Sequence, residues 1–177
     1  MDVTIIDTQY KNGNSLVDYL KEQQQLTYYN EAENNFKKNI LLSSASFFEK
    51  EITETIELFA ISHSDNNELI ISIIKQKAIS RQYHTYFDWE KATNANKFFS
   101  MFGETFKTKM TEKVKADKKF ELSIKSFLEI GQIRNIMVHQ NFAEIILDKT
   151  ALEIYELYQN SIYFLTTIKT ELIKEKK

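Results

Sequence analysis

Apolar side chains recur at steps of three and four residues over much of this chain, which is the spacing of one face of an α-helix. The longest stripe runs from about Ala32 to Ser62, and a second runs from about Lys119 to His139. The first stripe contains Phe36, Ile40, Ser44, Phe47, Phe48, Ile52, Ile56 and Phe59, and the second contains Leu122, Phe127, Ile130, Ile133 and Met137. A third stripe, nearer the C-terminus, contains Leu152, Tyr155, Tyr158, Ile162, Leu165, Ile168 and Leu172. The pattern predicts three long amphipathic helices.

Capping residues indicate where helices begin. Thr150, followed three residues later by Glu153, has the spacing of a capping box and predicts the start of the C-terminal helix. Asp65 and Glu68 have the same spacing and predict the start of a shorter helix, which continues through residues 69–74.

The remaining segments are less regular. Asn14 and Ser15 offer N-cap chemistry for a helix that begins at the next residue, and the dozen residues before them are expected to be extended. Residues 81–94 have no clean period and are expected to form a loop with a turn around Asp88 and Trp89. Helical spacing then resumes at four aromatic residues, Phe98, Phe99, Phe102 and Phe106.

Composition narrows the fold class. Among 177 residues there are only 3 glycines and no proline, whereas sheet folds need many tight turns that usually use both residues. The sequence therefore predicts an all-α fold, a helical bundle of about four long antiparallel helices with shorter additional helices. Since neither an internal repeat nor a dividing linker is apparent, we expect residues 1–177 to form a single domain.

Charge and cysteine content exclude several classes of protein. A net charge of −2 argues against architectural or tight non-specific binding of nucleic acid, but not against an enzyme that contacts a few phosphates. The absence of cysteine excludes disulfides, thiolate metal sites and a cysteine nucleophile. The N-terminus does not have the pattern of a signal peptide, and no segment reaches the roughly 18 consecutive apolar residues of a membrane helix. We expect a cytoplasmic protein that does not enter the membrane.

The most informative stretch is the end of the second stripe, where Arg134, Asn135 and His139 stand among apolar residues. Arg134 is one of only two arginines in this lysine-rich chain, and a cation inside an apolar run is costly unless it is paired. The spacing Arg-Asn-x-x-x-His at the end of a long helix resembles the Arg-x(4–6)-His signature of HEPN domains. The segments 43–49 and 98–103 also resemble parts of HEPN proteins of the RiboL-PSP type.

This resemblance covers about residues 32–170 and implies a function. HEPN proteins of this kind are homodimeric ribonucleases of toxin–antitoxin, phage-defence and RNA-processing systems, with the motif Arg and His of both subunits lining one cleft. By resemblance, the protein is expected to cleave RNA as a homodimer and to have an antitoxin or defence-system partner. In HEPN toxins that are paired with nucleotidyltransferase antitoxins, the motif continues His-x-Tyr with a modified tyrosine. Asn141 stands at that position here, which makes regulation by that route doubtful.

The residue types fit such a reaction without a metal or a cofactor. RNA supplies its own nucleophile, the 2′-hydroxyl, and a histidine with an unperturbed pKa of about 6.5 transfers protons at neutral pH. We hypothesise that His139 is the general acid or base, that Arg134 stabilises the phosphorane, and that Asn135 orients His139 or the phosphate. Positions five apart differ by about 140° around a helix, so Arg134 and His139 make better chemical sense across a two-fold axis than within one chain.

Other interpretations stay open. Arg134 would have a structural role if it paired with Glu129 or Glu49, and His139 would have one as a favourable C-terminal helix residue. The lysine-rich segment Lys107–Lys119 is compatible with an RNA track but is more typical of a solvated helix face. His63 and His84 are expected on the surface, and with only three scattered histidines no metal site is expected. The protein as a whole would then be a non-catalytic HEPN module that dimerises or binds RNA or a ligand, or an unrelated helical interaction protein.

Overall fold

The computed structural model describes residues 4–91, 93–142 and 144–174. Within these ranges the chain forms eight α-helices and no strand. The helices are α1 (Ile5–Glu22), α2 (Leu26–His63), α3 (Glu68–Ile74), α4 (Tyr83–Tyr86), α5 (Asn96–Ser100), α6 (Glu104–Ala116), α7 (Lys118–His139) and α8 (Ala151–Ile173). A π-helical turn, Lys75–Ile79, continues α3. Four helices are long and the others are short, which confirms the predicted all-α bundle.

Three helices form the centre of the bundle. Helix α8 packs against both α7 and α2, and α1 packs against α2. The core between them is aromatic: Phe127 of α7 lies 5.1 Å from Phe48 of α2 and 4.9 Å from Phe164 of α8, measured between ring centroids. Phe87, from the segment before α5, joins the same cluster at 4.9 Å from Phe127. The segment between α4 and α5 is therefore fixed to the core and to α7.

The helix boundaries confirm some predictions. Helix α8 begins at the predicted capping box: the hydroxyl of Thr150 accepts from the backbone N–H of Glu153, and the Glu153 carboxylate accepts from the backbone N–H of Thr150. Helices α2 and α7 span the two longest predicted stripes, and both begin within six residues of the predicted positions. These elements are set by local periodicity and capping.

Predictions for the N-terminal region were wrong. Helix α1 begins at Ile5, where Thr4 and Asp7 form a capping box, so residues 5–15 are helical rather than extended; residues 1–3 lie outside the described ranges. Asn14 and Ser15 lie inside this helix instead of capping one: Asn14 donates to Asp18 at 2.8 Å and the Ser15 hydroxyl donates to the carbonyl of Lys11. The competing capping box three turns earlier therefore determines the start.

Two later boundaries also differ from the prediction. The cap of α3 is Asn67, whose side-chain oxygen accepts from the N–H groups of residues 69 and 70, whereas Asp65 has a left-handed backbone with φ of 50°. The predicted aromatic helix through residues 98–106 is divided into α5 and α6 by Gly103, whose φ of +92° is left-handed. The expected loop at 81–94 contains one short helix, α4.

No helix in the described ranges is long and apolar enough to cross a membrane.

Candidate active site

Helix α7 carries the motif in its last two turns. The helix is capped by the Asp117 carboxylate, which accepts from the N–H groups of Lys119 and Phe120, and it ends at His139, after which the backbone becomes extended. Met137 is buried within the motif, while Arg134 and Asn135 are half-buried and His139 is exposed. Burial of Met137 thus fixes the rotation of the helix and leaves the polar side chains of the motif at the surface.

A segment distant in sequence docks on α7 beside the motif. The ring of Trp89 lies directly over Gly131: a Cβ atom at that glycine would lie 2.0 Å from Cζ3 of the indole. The indole N–H of Trp89 donates to the carbonyl of His84 at 3.0 Å, and the amide of Gln132 donates to the carbonyl of Glu90 at 3.2 Å. These contacts hold residues 83–90, called here the docked segment, against the third and second turns from the end of the helix.

The docked segment closes a small cavity over the motif. Its lining residues come from α2, the docked segment and α7, and they are Ala45, Phe48, Tyr83, His84, Trp89, Gly131, Arg134 and Asn135. The volume is about 20 Å³, enough for one water molecule and far too little for a nucleotide. Within one chain, a substrate therefore meets the Arg134 side of the motif only at the mouth of this cavity.

Arg134 has no carboxylate partner within the described ranges. Glu129, one of the two predicted candidates, pairs instead with Lys149 at 2.7 Å. Glu49, the other candidate, is exposed and makes no ion pair with Arg134. Since neither ion pair exists among the described residues, no direct contact with a carboxylate balances the guanidinium charge.

The pKa of Tyr83 reflects burial and the charges around the cavity. Burial raises the pKa of Tyr83 well above its usual range; the negative charge of Glu49 raises it further, and the positive charge of Arg134 opposes both. Burial and Glu49 likewise raise the pKa of Tyr86 to about 12, and its hydroxyl donates to the carbonyl of Ala78. Both tyrosines therefore stay protonated and uncharged at neutral pH.

His139 lies apart from Arg134. It does not line the cavity that contains Arg134 and Asn135, and a five-residue separation corresponds to about 7.5 Å along a helix and about 140° around it. In one chain, Arg134, Asn135 and His84 line the same small cavity, and His139 does not line it.

The residues that follow His139 are anchored to α2. The ammonium group of Lys38 donates to the carbonyl of Phe142 at 2.8 Å and lies 4.9 Å from the centroid of the Phe142 ring. Lys38 is only 2% exposed, and it makes no ion pair with any residue that the structure describes. This buried lysine therefore binds the segment directly after the motif and limits the positions that the end of α7 can adopt.

Several apolar side chains near His139 in sequence are exposed. Ile136, Val138, Phe142 and Ile146 are all exposed, Ile146 at 82%. A groove of about 430 Å³ lies along α7, and its walls include Ile133, Ile136, Ile145, Ile146 and Leu147 but not His139. Apolar side chains clustered in this way are typical of a surface that is covered by another protein.

The lysine-rich segment is largely balanced by carboxylates. Four of its six lysines form ion pairs: Lys107 with Glu104, Lys109 and Lys113 with Glu171, and Lys118 with Glu121. A fifth, Lys119, lies 5.0 Å above the ring of Tyr163. The pairs to Glu171 connect α6 to α8, which favours a structural role over an RNA track.

Sequence reasoning missed four residues of this region: Lys38, Tyr83, His84 and Trp89. His84 is exposed, as expected, but it also lines the cavity with Arg134. The one available signal was Gly131, a glycine in the middle of a helical stripe, which indicates close approach of another element. No cluster of three or more metal-ligating side chains is present in the described part of the chain.

Comparison with known proteins identifies the family. The sequence model of the RiboL-PSP-HEPN family matches residues 9–174, nearly the whole chain. No curated protein and no solved structure was found to match. The match includes the helices that build the cavity and the Arg-Asn-x-x-x-His motif at the end of α7. The chain belongs to the RiboL-PSP-HEPN family, a group of HEPN-type helical domains.

Proposed function

We propose that the protein is a metal-independent endoribonuclease that works as a homodimer, as a toxin or a phage-defence effector. The observation that carries this proposal is Arg134, a half-buried guanidinium without a carboxylate partner among the described residues, beside Asn135 and within the family's motif. A half-buried cation without a balancing anion is costly to keep, so its retention favours an anionic ligand. A phosphodiester is the anion that an RNA substrate supplies.

The reaction is an in-line displacement. The 2′-hydroxyl attacks the adjacent phosphorus as a base removes its proton, and the 5′-oxygen leaves as an acid gives it a proton. The products are a 2′,3′-cyclic phosphate and a 5′-hydroxyl. Arg134 donates two parallel hydrogen bonds to the phosphate oxygens, where negative charge increases in the transition state. Asn135 orients the phosphate or His139, and His139 transfers a proton.

A homodimer resolves the separation between the two motif residues. His139 lies at the exposed end of α7, one turn after Ile136, which forms an apolar surface together with Ile133 and Ile146. Two copies packed through this surface would place His139 of the partner subunit near Arg134 across the two-fold axis. The two chains together would also supply the cleft that the cavity of about 20 Å³ in one chain does not.

The test is cleavage of a mixed pool of structured and unstructured RNA in EDTA, followed by analysis of the fragment ends. The wild type should cut, should leave cyclic phosphates, and should not cut all-deoxy DNA. Arg134→Ala and His139→Ala should each lower the rate by at least about 100-fold. The other arginine and another histidine offer matched controls, since Arg81→Ala and His63→Gln should leave the rate unchanged. Cleavage that requires a divalent metal would contradict the mechanism.

A non-catalytic HEPN module is the second candidate. It is favoured by the small volume of the cavity, which admits no nucleotide within one chain. If wild type and both variants are folded, dimeric and equally inert toward RNA, this candidate replaces the ribonuclease. Expression in cells also distinguishes the two candidates. A ribonuclease toxin or effector should stop growth when it is expressed, and the Arg134→Ala variant should not.

A further inference from the structure

The exposed end of the motif is connected to the protein interior by Lys38. From residue 138 to residue 144, the residues that the structure describes are all exposed. The buried side chains that flank this stretch are Met137 before it and Ile145 after it. Lys38 is buried in α2, and its ammonium group donates to the carbonyl of Phe142 at 2.8 Å. A buried side chain therefore binds the exposed stretch three residues after His139.

His139 lies where the helix stops fixing the chain. It is the last residue of α7, and Gln140 after it has an extended backbone with φ of −116° and ψ of 170°. The last carbonyls of a helix have no partner within it, and helix ends fray unless the chain beyond them is held. Only three peptide units, each about 3.8 Å from Cα to Cα, separate His139 from Phe142. Holding Phe142 therefore restricts the positions that His139 can adopt.

An ammonium group is a costly way to fill the space that Lys38 occupies. Lys38 is almost fully buried and makes no ion pair among the described residues, and burying a cation without an anion is unfavourable. A methionine would fill a similar volume without that cost. What the ammonium group adds is direction, since it makes a charge-assisted hydrogen bond to one carbonyl and lies 4.9 Å from the centroid of the Phe142 ring. An apolar contact is not directional and would fix Phe142 less closely.

We propose that Lys38 is a positioning residue for His139: its bond to the Phe142 carbonyl holds the end of α7, so that the imidazole of His139 is presented in one place. The consequence for catalysis rests on the proposed ribonuclease function, whereas the effect on the position of His139 does not. Lys38 itself is buried and does not contact the substrate.

Because the chain has no cysteine, the ammonium group can be tested by itself. Lys38→Cys is unfolded, alkylated at its single thiol and refolded. Alkylation with 2-bromoethylamine restores an ammonium group at nearly the original position, and alkylation with 1-bromopropane adds a chain of the same length without the charge. The aminoethyl form should have nearly the kcat of the wild type. The propyl form should have a similar melting temperature and KM, but a kcat lower by about 10- to 100-fold, because a small displacement of a catalytic group is enough for such a loss.

Wild type that is carried through both treatments is the control, since it has no thiol to react. A second measurement does not depend on catalysis. His139 is one of only three histidines, so its imidazole signal can be assigned by proton–carbon NMR with His139→Gln as the reference. In Lys38→Met the signal of His139 should shift or broaden, while those of His63 and His84 stay in place. Lys37→Met, at the neighbouring position, should leave all three signals unchanged.

The outcomes separate this inference from the proposed function. If the propyl form is as active as the aminoethyl form, or if the His139 signal in Lys38→Met is that of the wild type, Lys38 does not position His139 and the proposal is overturned. The ribonuclease proposal is unaffected by either result. If the wild type itself does not cleave RNA, the ribonuclease proposal fails, and the NMR comparison alone decides whether Lys38 positions His139.

Discussion

Trp89 and Gly131 are in contact across 42 residues of sequence, and a Cβ atom at Gly131 would lie 2.0 Å from the indole ring. Replacing a helical glycine by alanine normally stabilises a helix by about 1 kcal/mol. Here Gly131→Ala should do the opposite, because the indole must move and overpacking costs about 1–3 kcal/mol. The melting temperature should fall, and RNA cleavage should fall with it because the docked segment closes the cavity that Arg134 lines.

A double-mutant cycle checks that explanation. In a Trp89→Ala background the obstacle is gone, so Gly131→Ala should become neutral or stabilising. Destabilisation of the same size in both backgrounds would show that Trp89 is not the reason for the glycine.

Glu171 is the centre of the ion-pair network between α6 and α8. Its side chain is 5% exposed and contacts Lys109 at 2.6 Å, Lys174 at 2.7 Å and Lys113 at 3.3 Å. Burial opposes ionisation, but hydrogen bonds from the three lysines lower the pKa of Glu171 to about 2. Glu171→Gln should reduce the free energy of unfolding at pH 7 by about 1–3 kcal/mol, whereas Glu112→Gln, at an exposed position of α6, should have little effect.

The Glu171 carboxylate should also make the stability of the protein depend on pH. The pKa of Glu171 is lower in the folded chain than the ordinary value of 4.5. The contribution of this carboxylate to the free energy of unfolding is therefore complete above about pH 4.5 and is lost as the pH falls toward about 2. The stability difference between wild type and Glu171→Gln, measured by urea unfolding, should shrink over that window. A constant difference from pH 7 to pH 3 would contradict the assignment.

Lys38 should control the segment that follows the motif. Lys38→Met keeps the apolar stem but removes the bond to the Phe142 carbonyl and the contact with its ring. A hydrogen bond to a charged group contributes about 1.5–3 kcal/mol. Its loss should destabilise the segment after α7 and appear as faster hydrogen exchange at residues 140–142. Lys37→Met, at the neighbouring position, is the control, and equal exchange in both variants would refute the anchoring role.

The apolar surface beside His139 should be the dimer interface. Ile146 is 82% exposed there, so Ile146→Glu should convert the dimer to a monomer by placing a charge in the interface. Leu69→Glu is a matched control, because Leu69 is 83% exposed on α3, outside this surface. Sedimentation velocity distinguishes the two states. A dimer that survives Ile146→Glu but not Leu69→Glu would move the interface to α3.

Local signals explain which parts of the fold were predictable. The capping box of Thr150 and Glu153 and the stripes of α2 and α7 are each formed by residues only a few positions apart, so the sequence displays them directly. The start of α1 was missed because several residues offered caps, and the capping box of Thr4 and Asp7 prevails over Asn14 and Ser15. Ile6 and Val17 of α1 are buried in the core, which favours the longer helix.

The motif was visible in sequence, but its surroundings were not. Arg134, Asn135 and His139 stand together in one helix, whereas the cavity beside them depends on Trp89 reaching Gly131. A contact of that kind depends on tertiary packing, and the hydrophobic pattern of the sequence does not reveal it. For the same reason, nothing in the sequence around His84 indicates that this residue lines a cavity with Arg134.

The central claim is a ribonuclease site that combines Arg134 of one chain with His139 of the partner subunit, and mixing two inactive variants tests it most directly. Arg134→Ala and His139→Ala, each inert alone, should regain RNA cleavage in EDTA after they are unfolded and refolded together. Each mixed dimer then contains one complete site, with Arg134 from one chain and His139 from the other. If mixed dimers form but remain as inactive as either parent, the two residues do not act across the interface and the account is wrong.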